Sequence, residues 1–167
     1  MQATIKKIFE RNARALKLRP TLGRGTASTS VRLVDGLRCE ISDGPWTLNV
    51  DLSPKSGGGG TAPDPGVYGR AALGACLAIS YTQWAAMREL PIDDLRVDVE
   101  ADYDARGMLG VGDVVADYTA IRFRVTVRSA APDEQIESVL AEAEERCNYL
   151  NVFKRAREIQ RDLCVLR

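Results

Sequence analysis

Two cysteines in different sequence surroundings are the residues best suited to do chemistry. Cys76 lies at the centre of a run of small and apolar residues, 71–79, and Cys147 lies at the end of an amphipathic segment rich in glutamate. The chain has no histidine, so the usual general base for acyl or phosphoryl transfer is missing. A thiol, which reacts as the thiolate, is therefore the best remaining candidate for a reactive group.

Composition and charge limit the class of protein. The 167 residues are enough for one domain with a hydrophobic core. Lys+Arg and Asp+Glu both number 23, so there is no general electrostatic case for nucleic acid or an anionic membrane as a partner. The N-terminal residues lack the hydrophobic segment of a signal peptide, and the run 71–79 is much shorter than the ~18 residues of a spanning helix. We therefore expect a cytoplasmic protein.

The remaining cysteine pattern argues against metal or cofactor binding. In the cytoplasm the four cysteines are not expected to form permanent disulfides. No two of them have Cys-x-x-Cys spacing and no histidine completes a zinc site, so we predict no metal and no cofactor. Cys39 and Cys164 lie on predicted strands, where a packing role is expected for both.

The first half of the chain predicts a helix, a small sheet and a long helix. Apolar residues at helical spacing predict a helix over 3–17. Turns at Asp35-Gly36 and Asp43-Gly44 divide residues 26–52 into a three-stranded antiparallel meander. Asp64 and Pro65 then provide an N-cap and a first helical residue for a helix that runs to about residue 90. Because its middle is apolar on every side, we expect it to be buried on every side.

Glycines 57–60 precede that helix and could suggest a phosphate-binding loop. No Lys-Ser or Lys-Thr follows them, and no helix begins directly after them, so the P-loop pattern fails. We predict a flexible connector over residues 55–65.

The second half predicts two strands and another helix. Residues 95–103 and 118–128 alternate apolar and charged residues, one strand mainly acidic and the other mainly basic on the outer face, which favours antiparallel pairing. We expect the long join between them, 104–117, to form a lobe over a site. A helix begins at Pro132 and carries Cys147 on its core-facing stripe, and residues 163–166 predict a last strand.

Two segments resemble the motifs of a known family. Asp64-Pro65 followed by Ala-Ala-Leu-Gly-Ala-Cys-Leu-Ala at 71–78 resembles the first motif helix of the OsmC/Ohr family, the osmotically inducible and organic hydroperoxide resistance proteins. Residues 147–154 are similar to the second family motif, Cys-Pro-x-Ser-x-x-Leu-Lys. The order of elements agrees over residues 25–167, which we identify as an OsmC-like domain. Residues 1–24 then form an N-terminal helical extension outside the common core.

The resemblance implies both architecture and activity. It implies an α+β fold in which antiparallel sheet wraps a long central helix, and an intertwined homodimer. It further implies a peroxiredoxin-like hydroperoxide reductase with an antioxidant role. Cys76 would attack an organic or hydrogen peroxide, Cys147 would resolve the resulting sulfenic acid, and an external thiol or dithiol would reduce the disulfide.

The chain departs from the family pattern at three points. Reactive members have a glutamate after the Asn-Pro pair that orients an arginine beside the thiolate, whereas this chain has Gly66. Arg32 and Arg38 flank the first hairpin turn, but neither aligns with that arginine. Asn148 stands where the second motif has proline. Within the central helix, Arg70 points to another side of the helix from Cys76.

Two other functions fit parts of the pattern. A non-enzymatic OsmC-like protein could bind a small hydrophobic ligand at the dimer cleft. The missing glutamate favours that alternative, and the retention of both cysteines favours the peroxidase. A hotdog-type thioesterase would also wrap a long helix in sheet, but no Asp or Glu active-site motif of that family can be matched.

Overall fold

Residues 2–167, the part of the chain that the computed structural model describes, contain five α-helices, two short 3-10 helices and five strands. The helices are α1 (Gln2–Leu18), α2 (Pro65–Met87), α3 (Ala105–Met108), α4 (Asp133–Glu145) and α5 (Asn148–Lys154). The strands are β1 (Ser30–Asp35), β2 (Arg38–Asp43), β3 (Trp46–Val50), β4 (Asp94–Tyr103) and β5 (Tyr118–Arg128). Strands β1, β2 and β3 form one antiparallel sheet, and β4 pairs with β5 in another. The α+β class, the meander and the long helix are thus as predicted.

Helix α2 is the element around which the rest is packed. The carboxylate of Asp64 accepts a hydrogen bond from the N–H of Val67 at 3.1 Å, and Pro65 opens the first turn, as predicted. Gly74 lets β4 approach closely, since a Cβ there would lie 3.2 Å from a methyl group of Val99. One face of α2 packs on the β4–β5 sheet and on α4 and α5, and its buried residues form the main core with Ala143, Cys147 and Leu150.

Another face of α2 is not covered in the single chain. Ala71, Ala75 and Ile79 follow one another at one-turn spacing and are all exposed, Ile79 to 59%. The prediction that α2 is buried on every side is therefore wrong for one chain. The helix is apolar on all sides, but residues 2–167 of a single copy cover only part of its surface.

The charged faces of β4 and β5 pair as the sequence predicts. Asp98 lies opposite Arg124 and Glu100 opposite Arg122 in the antiparallel register. The guanidinium of Arg122 contacts Glu100 at 2.7 Å and also reaches Asp102. These groups are exposed, so each pair stabilises the register only modestly, by about 0.2–1 kcal/mol.

The glycine-containing connector is ordered, which corrects the prediction of a flexible segment over 55–65. The buried carboxylate of Asp51 accepts hydrogen bonds from the N–H groups of Leu52, Gly59 and Thr61 and from the hydroxyl of Thr61. A Cβ at Gly58 would stand 2.1 Å from the carbonyl oxygen of Leu52. The glycines are thus required by a tight turn built around one carboxylate, and not by flexibility.

The last residues of the chain form neither strand nor helix. Residues 156–167 have no regular secondary structure and are exposed, so the strand predicted over 163–166 is absent from the described chain. Cys164 is exposed there, and the packing role expected for it is wrong, whereas Cys39 is half-buried in β2. No helix among residues 2–167 combines the length and the apolar character needed to cross a membrane.

Candidate active site

The two candidate cysteines lie next to each other in the folded chain. The thiol of Cys147 donates a hydrogen bond to the sulfur of Cys76, and the two Sγ atoms are 3.5 Å apart. The two residues are not joined by a disulfide bond in the structure. A disulfide bond is ~2.05 Å long, so joining the sulfurs requires an approach of about 1.5 Å. The structure therefore brings together the two residues that the sequence analysis singled out, although they are 71 positions apart.

The two thiols differ in access. Cys76 lies in the middle of α2, packs against the main core and is half-buried. Cys147 is only 1% exposed. Cys76 is therefore the more accessible of the two residues.

The placement of Cys147 differs in one respect from the sequence prediction. Helix α4 ends at Glu145, so Cys147 is not part of it, although the sulfur does face the core as predicted. Arg146 forms the turn, and Cys147 takes the N-cap position of α5, a short helix that the sequence analysis did not predict. A residue in a turn between two helices can move by an ångström more readily than a residue inside a helix. This position of Cys147 therefore makes it easier for the two sulfurs to reach bonding distance.

Two hydrogen bonds from α2 fix the end of α4 beside Cys76. The hydroxyl of Ser80 donates to the carbonyl oxygen of Ala143 at 3.1 Å, and the buried hydroxyl of Tyr81 donates to the carboxylate of Glu144 at 2.9 Å. Burial, together with this carboxylate, raises the pKa of Tyr81. Sequence analysis missed the pair, although Glu144 falls one helical turn after Leu140 on the apolar stripe of α4. A charged residue within an apolar stripe could have indicated that Glu144 has a buried hydrogen-bond partner.

Burial sets the protonation state of Cys147. Removal from water raises the pKa of its thiol, and the neighbouring sulfur of Cys76 acts in the same direction. The backbone N–H groups of Leu150 and Tyr149, at the start of α5, oppose this shift. The net effect keeps the proton on Cys147, which agrees with its role as the donor in the hydrogen bond to Cys76.

Two of the arginines considered from the sequence, Arg32 and Arg70, make contacts elsewhere in the chain. Arg32 contacts Glu40 at 3.4 Å on the exposed surface of the β1–β3 sheet. One guanidinium nitrogen of Arg70 lies 3.0 Å from the point where a Cβ at Gly66 would stand. The side chain of Arg70 thus runs towards the start of α2, away from Cys76, and fills the space that a side chain at position 66 would need.

A cavity of about 590 Å³ opens beside the start of α2. The join between β4 and β5 lines one side of it, through Asp104, Met108 and Asp117, and Arg70 and Tyr118 also line it. The join therefore does cover a cavity. Among the described residues, neither cysteine lines it, so this cavity and the pair of thiols are separate features.

Comparison with known proteins identifies the domain. The family model described as OsmC-like protein matches residues 57–161. No curated protein sequence matches the chain.

Solved structures with the same fold extend over most of the chain. An OsmC-like protein from Mycoplasma pneumoniae superposes with a TM-score of 0.68 at 15% identity, covering 78% of this chain and 88% of the other. An organic hydroperoxide resistance protein OsmC from Legionella pneumophila gives 0.53 at 19% identity, with 78% and 90% covered. An organic hydroperoxide resistance protein from Elizabethkingia anophelis gives 0.61 at 11% identity, with 78% and 89% covered.

Proposed function

Since this chain belongs to the OsmC-like protein family, we propose that it is a thiol-dependent peroxidase that reduces organic hydroperoxides or hydrogen peroxide through Cys76 and Cys147. The observation that carries the proposal is the 3.5 Å separation of the two sulfurs, one half-buried and the other buried. Structural neighbours described as organic hydroperoxide resistance proteins share the fold and give the proposal its direction.

The reaction proceeds in three balanced steps. The thiolate of Cys76 attacks one oxygen of the peroxide, the O–O bond breaks, and the alcohol or water leaves with a proton, so that Cys76 becomes a sulfenic acid. The sulfur of Cys147 then attacks the sulfur of Cys76, and hydroxide leaves from it. Two external thiols, or one dithiol, reduce the disulfide by exchange. In sum, one peroxide and two thiols give an alcohol, water and an external disulfide.

The proton on Cys147 has a use in the second step. Burial raises the pKa of this thiol, so its proton has to leave as the sulfur attacks Cys76. That proton can neutralise the departing hydroxide as water. Its position within hydrogen-bond reach of Cys76 also limits the time that the sulfenic acid is open to further oxidation.

A thiol titration with cumene hydroperoxide tests the proposal. One equivalent of peroxide should remove two of the four thiols from the wild-type protein, and Cys76→Ser should lose none. Cys147→Ser should lose one thiol, as a sulfenic acid that dimedone captures. Cys39→Ser and Cys164→Ser serve as matched controls and should each still lose two. Survival of all four wild-type thiols under sustained exposure would contradict the proposal.

A homodimer is part of the same proposal. The alternating residues Val31 and Leu33 of β1 and Leu48 of β3 lie on one face of the β1–β3 sheet and are 62%, 63% and 44% exposed. The uncovered face of α2 around Ile79 is a second apolar surface. Surfaces of this kind on one chain are typical of an interface, and a second copy would cover both.

Light scattering after size exclusion tests the dimer. The expected mass is twice the 18.3 kDa of one chain. Leu33→Gln, on the apolar face of β1, should shift the protein towards monomer. Arg32→Gln, on the opposite face of the same strand, should leave the mass unchanged. A wild-type mass of one chain at micromolar concentration would overturn this part of the proposal.

A second function, ligand binding without turnover, is favoured by one observation. The cavity beside α2 is separate from the thiols and is lined by both apolar and charged groups, Met108 and Arg70 among them. A protein that uses this cavity to bind a small molecule would need no redox chemistry. The thiol titration separates the two functions, because a binding protein would keep its four thiols in the presence of peroxide.

A further inference from the structure

Helix α1 lies outside the part of the chain that the family model matches, yet it packs on α2. The ring of Phe9 meets the ring of Trp84 edge to face, with centroids 5.4 Å apart and planes at 70°. Lys6 forms an ion pair with Glu89 beyond the end of α2. Helix α1 is therefore attached to α2 by an aromatic contact in its middle and a polar contact near its start.

Trp84 has a second partner on its ring, and that partner adjoins the redox pair. The guanidinium of Arg146 lies 4.7 Å from the centroid of the Trp84 ring, within the range of a cation–π contact. Arg146 is the residue before Cys147 in the turn between α4 and α5. A continuous series of contacts thus runs from Phe9 through Trp84 to the turn that carries the buried thiol.

The turn is held on both sides of Arg146, because the side-chain amide of Asn151 donates to the carbonyl oxygens of Glu145 and Cys147 at 3.1 and 2.9 Å. The N–H of Arg146 donates to the carbonyl oxygen of Ala143, and the N–H of Cys147 donates to that of Glu144, both at 3.2 Å. The guanidinium of Arg146 also donates to the carbonyl oxygen of Glu142 at 3.2 Å. The side chain of Arg146 therefore spans the turn from the end of α4 to the ring of Trp84.

We propose that Phe9, Trp84 and Arg146 form a clamp that holds Cys147 beside Cys76 and so favours closure of the disulfide. This inference rests on the proposed redox pairing of the two cysteines, but not on peroxide as the oxidant. The three members are positioning residues, because they act on the turn that carries Cys147 and take no part in the exchange between the sulfurs. The clamp gives helix α1 a function in the redox chemistry of the domain.

Equilibration of the full-length protein with glutathione buffers tests the clamp. The protein dithiol and one glutathione disulfide give the protein disulfide and two molecules of reduced glutathione, and alkylation followed by mass spectrometry measures the oxidised fraction. Arg146→Gln should lower the equilibrium constant for closure by about two- to fivefold, the size of a cation–π contact at a half-exposed site. Arg146→Lys, which keeps the charge over the ring, should recover most of it.

Matched variants separate positioning from general loosening. Arg88→Gln removes a charge that contacts Glu142 on α4 at 2.7 Å, the same carboxylate that Arg146 approaches at 3.8 Å. It leaves the guanidinium over the Trp84 ring in place, so the equilibrium should stay at the wild-type value. Phe9→Leu should lower the constant, and its effect should not add to that of Arg146→Gln, because both act through the same ring. Equal effects of Arg88→Gln and Arg146→Gln, or none from Arg146→Gln, would overturn the clamp.

The glutathione assay also keeps this inference apart from the proposed function. A wild-type protein that is inert to peroxide but closes its disulfide with glutathione in an Arg146-dependent way would overturn the peroxidase and support the clamp. A wild-type protein that forms no disulfide between Cys76 and Cys147 in any glutathione buffer would overturn both.

Discussion

Oxidation of the two thiols should stabilise the folded protein by an amount that follows from where they lie in the chain. Cys76 and Cys147 are 71 positions apart, and a disulfide that closes a loop of this length restricts the unfolded chain by about 4.4 kcal/mol on the chain-entropy estimate. Strain in the folded state offsets part of this stabilisation, because the sulfurs must approach from 3.5 Å to ~2.05 Å. We expect a net gain of about 2–4 kcal/mol.

Urea unfolding with and without dithiothreitol measures this gain. Both forms are compared at one protein concentration, so that any coupling to subunit association is the same in both. With a urea dependence of about 1–3 kcal/mol per molar, the midpoint of the oxidised protein should lie about 1 M or more above that of the reduced protein. Cys147→Ser serves as the control, and its midpoint should be the same in both solutions.

Strain in the closed disulfide is what would contradict this expectation. If a protein shown by mass spectrometry to contain the Cys76–Cys147 disulfide unfolds at the same or a lower urea concentration than the reduced protein, the strain of closure equals or exceeds the entropic gain. The turn at Arg146 could then not move far enough to join the sulfurs without strain, and a redox cycle through these two sulfurs would lose its structural basis.

Three further expectations concern stability. Burial raises the pKa of Cys147, so the stability that the neutral thiol contributes is fully present at low pH and declines as the pH rises past 9.0, the ordinary pKa of a cysteine. The urea midpoint of the reduced protein should therefore fall above that pH, and the fall should be smaller in Cys147→Ala. Tyr81→Phe removes a 2.9 Å hydrogen bond to a half-buried carboxylate and should lower the free energy of unfolding, measured in urea, by about 1.5 kcal/mol. An unchanged free energy of unfolding would show that water solvates the carboxylate equally well when the hydroxyl is absent. Gly58→Ala should lower the free energy of unfolding by about 1–3 kcal/mol, and with it the melting temperature, since its Cβ would overlap a carbonyl oxygen. Gly25→Ala, where a Cβ meets nothing within 4 Å, should leave the melting temperature unchanged.

Local chemistry made most of the elements predictable. Periodicity placed β4 and β5, because alternation of apolar and charged residues reports which face is buried. The turn glycines Gly36 and Gly44 adopt positive φ, as the Asp-Gly pairs predicted. The start of α2 followed from an N-cap and a proline. In each case the information lies within a few residues of the feature that it determines.

Features that depend on distant groups were missed or misread. The connector over 55–65 looked flexible from its glycines, but Asp51 orders it from outside the segment. The predicted strand over 163–166 needs a neighbouring strand, and the described chain offers none to it. The division of the chain at residue 24 into an extension and a domain stays a prediction.

The sequence by itself determined most of the elements, the family resemblance and the choice of Cys76 and Cys147 as candidate reactive residues, because residue types and short-range spacing carry that information. Only the tertiary structure decided that the two sulfurs lie 3.5 Å apart, that one is half-buried and the other buried, and that Trp84 connects α1 to the turn before Cys147. Distance, access and protonation arise from the packing of segments far apart in the chain, and no local pattern encodes them.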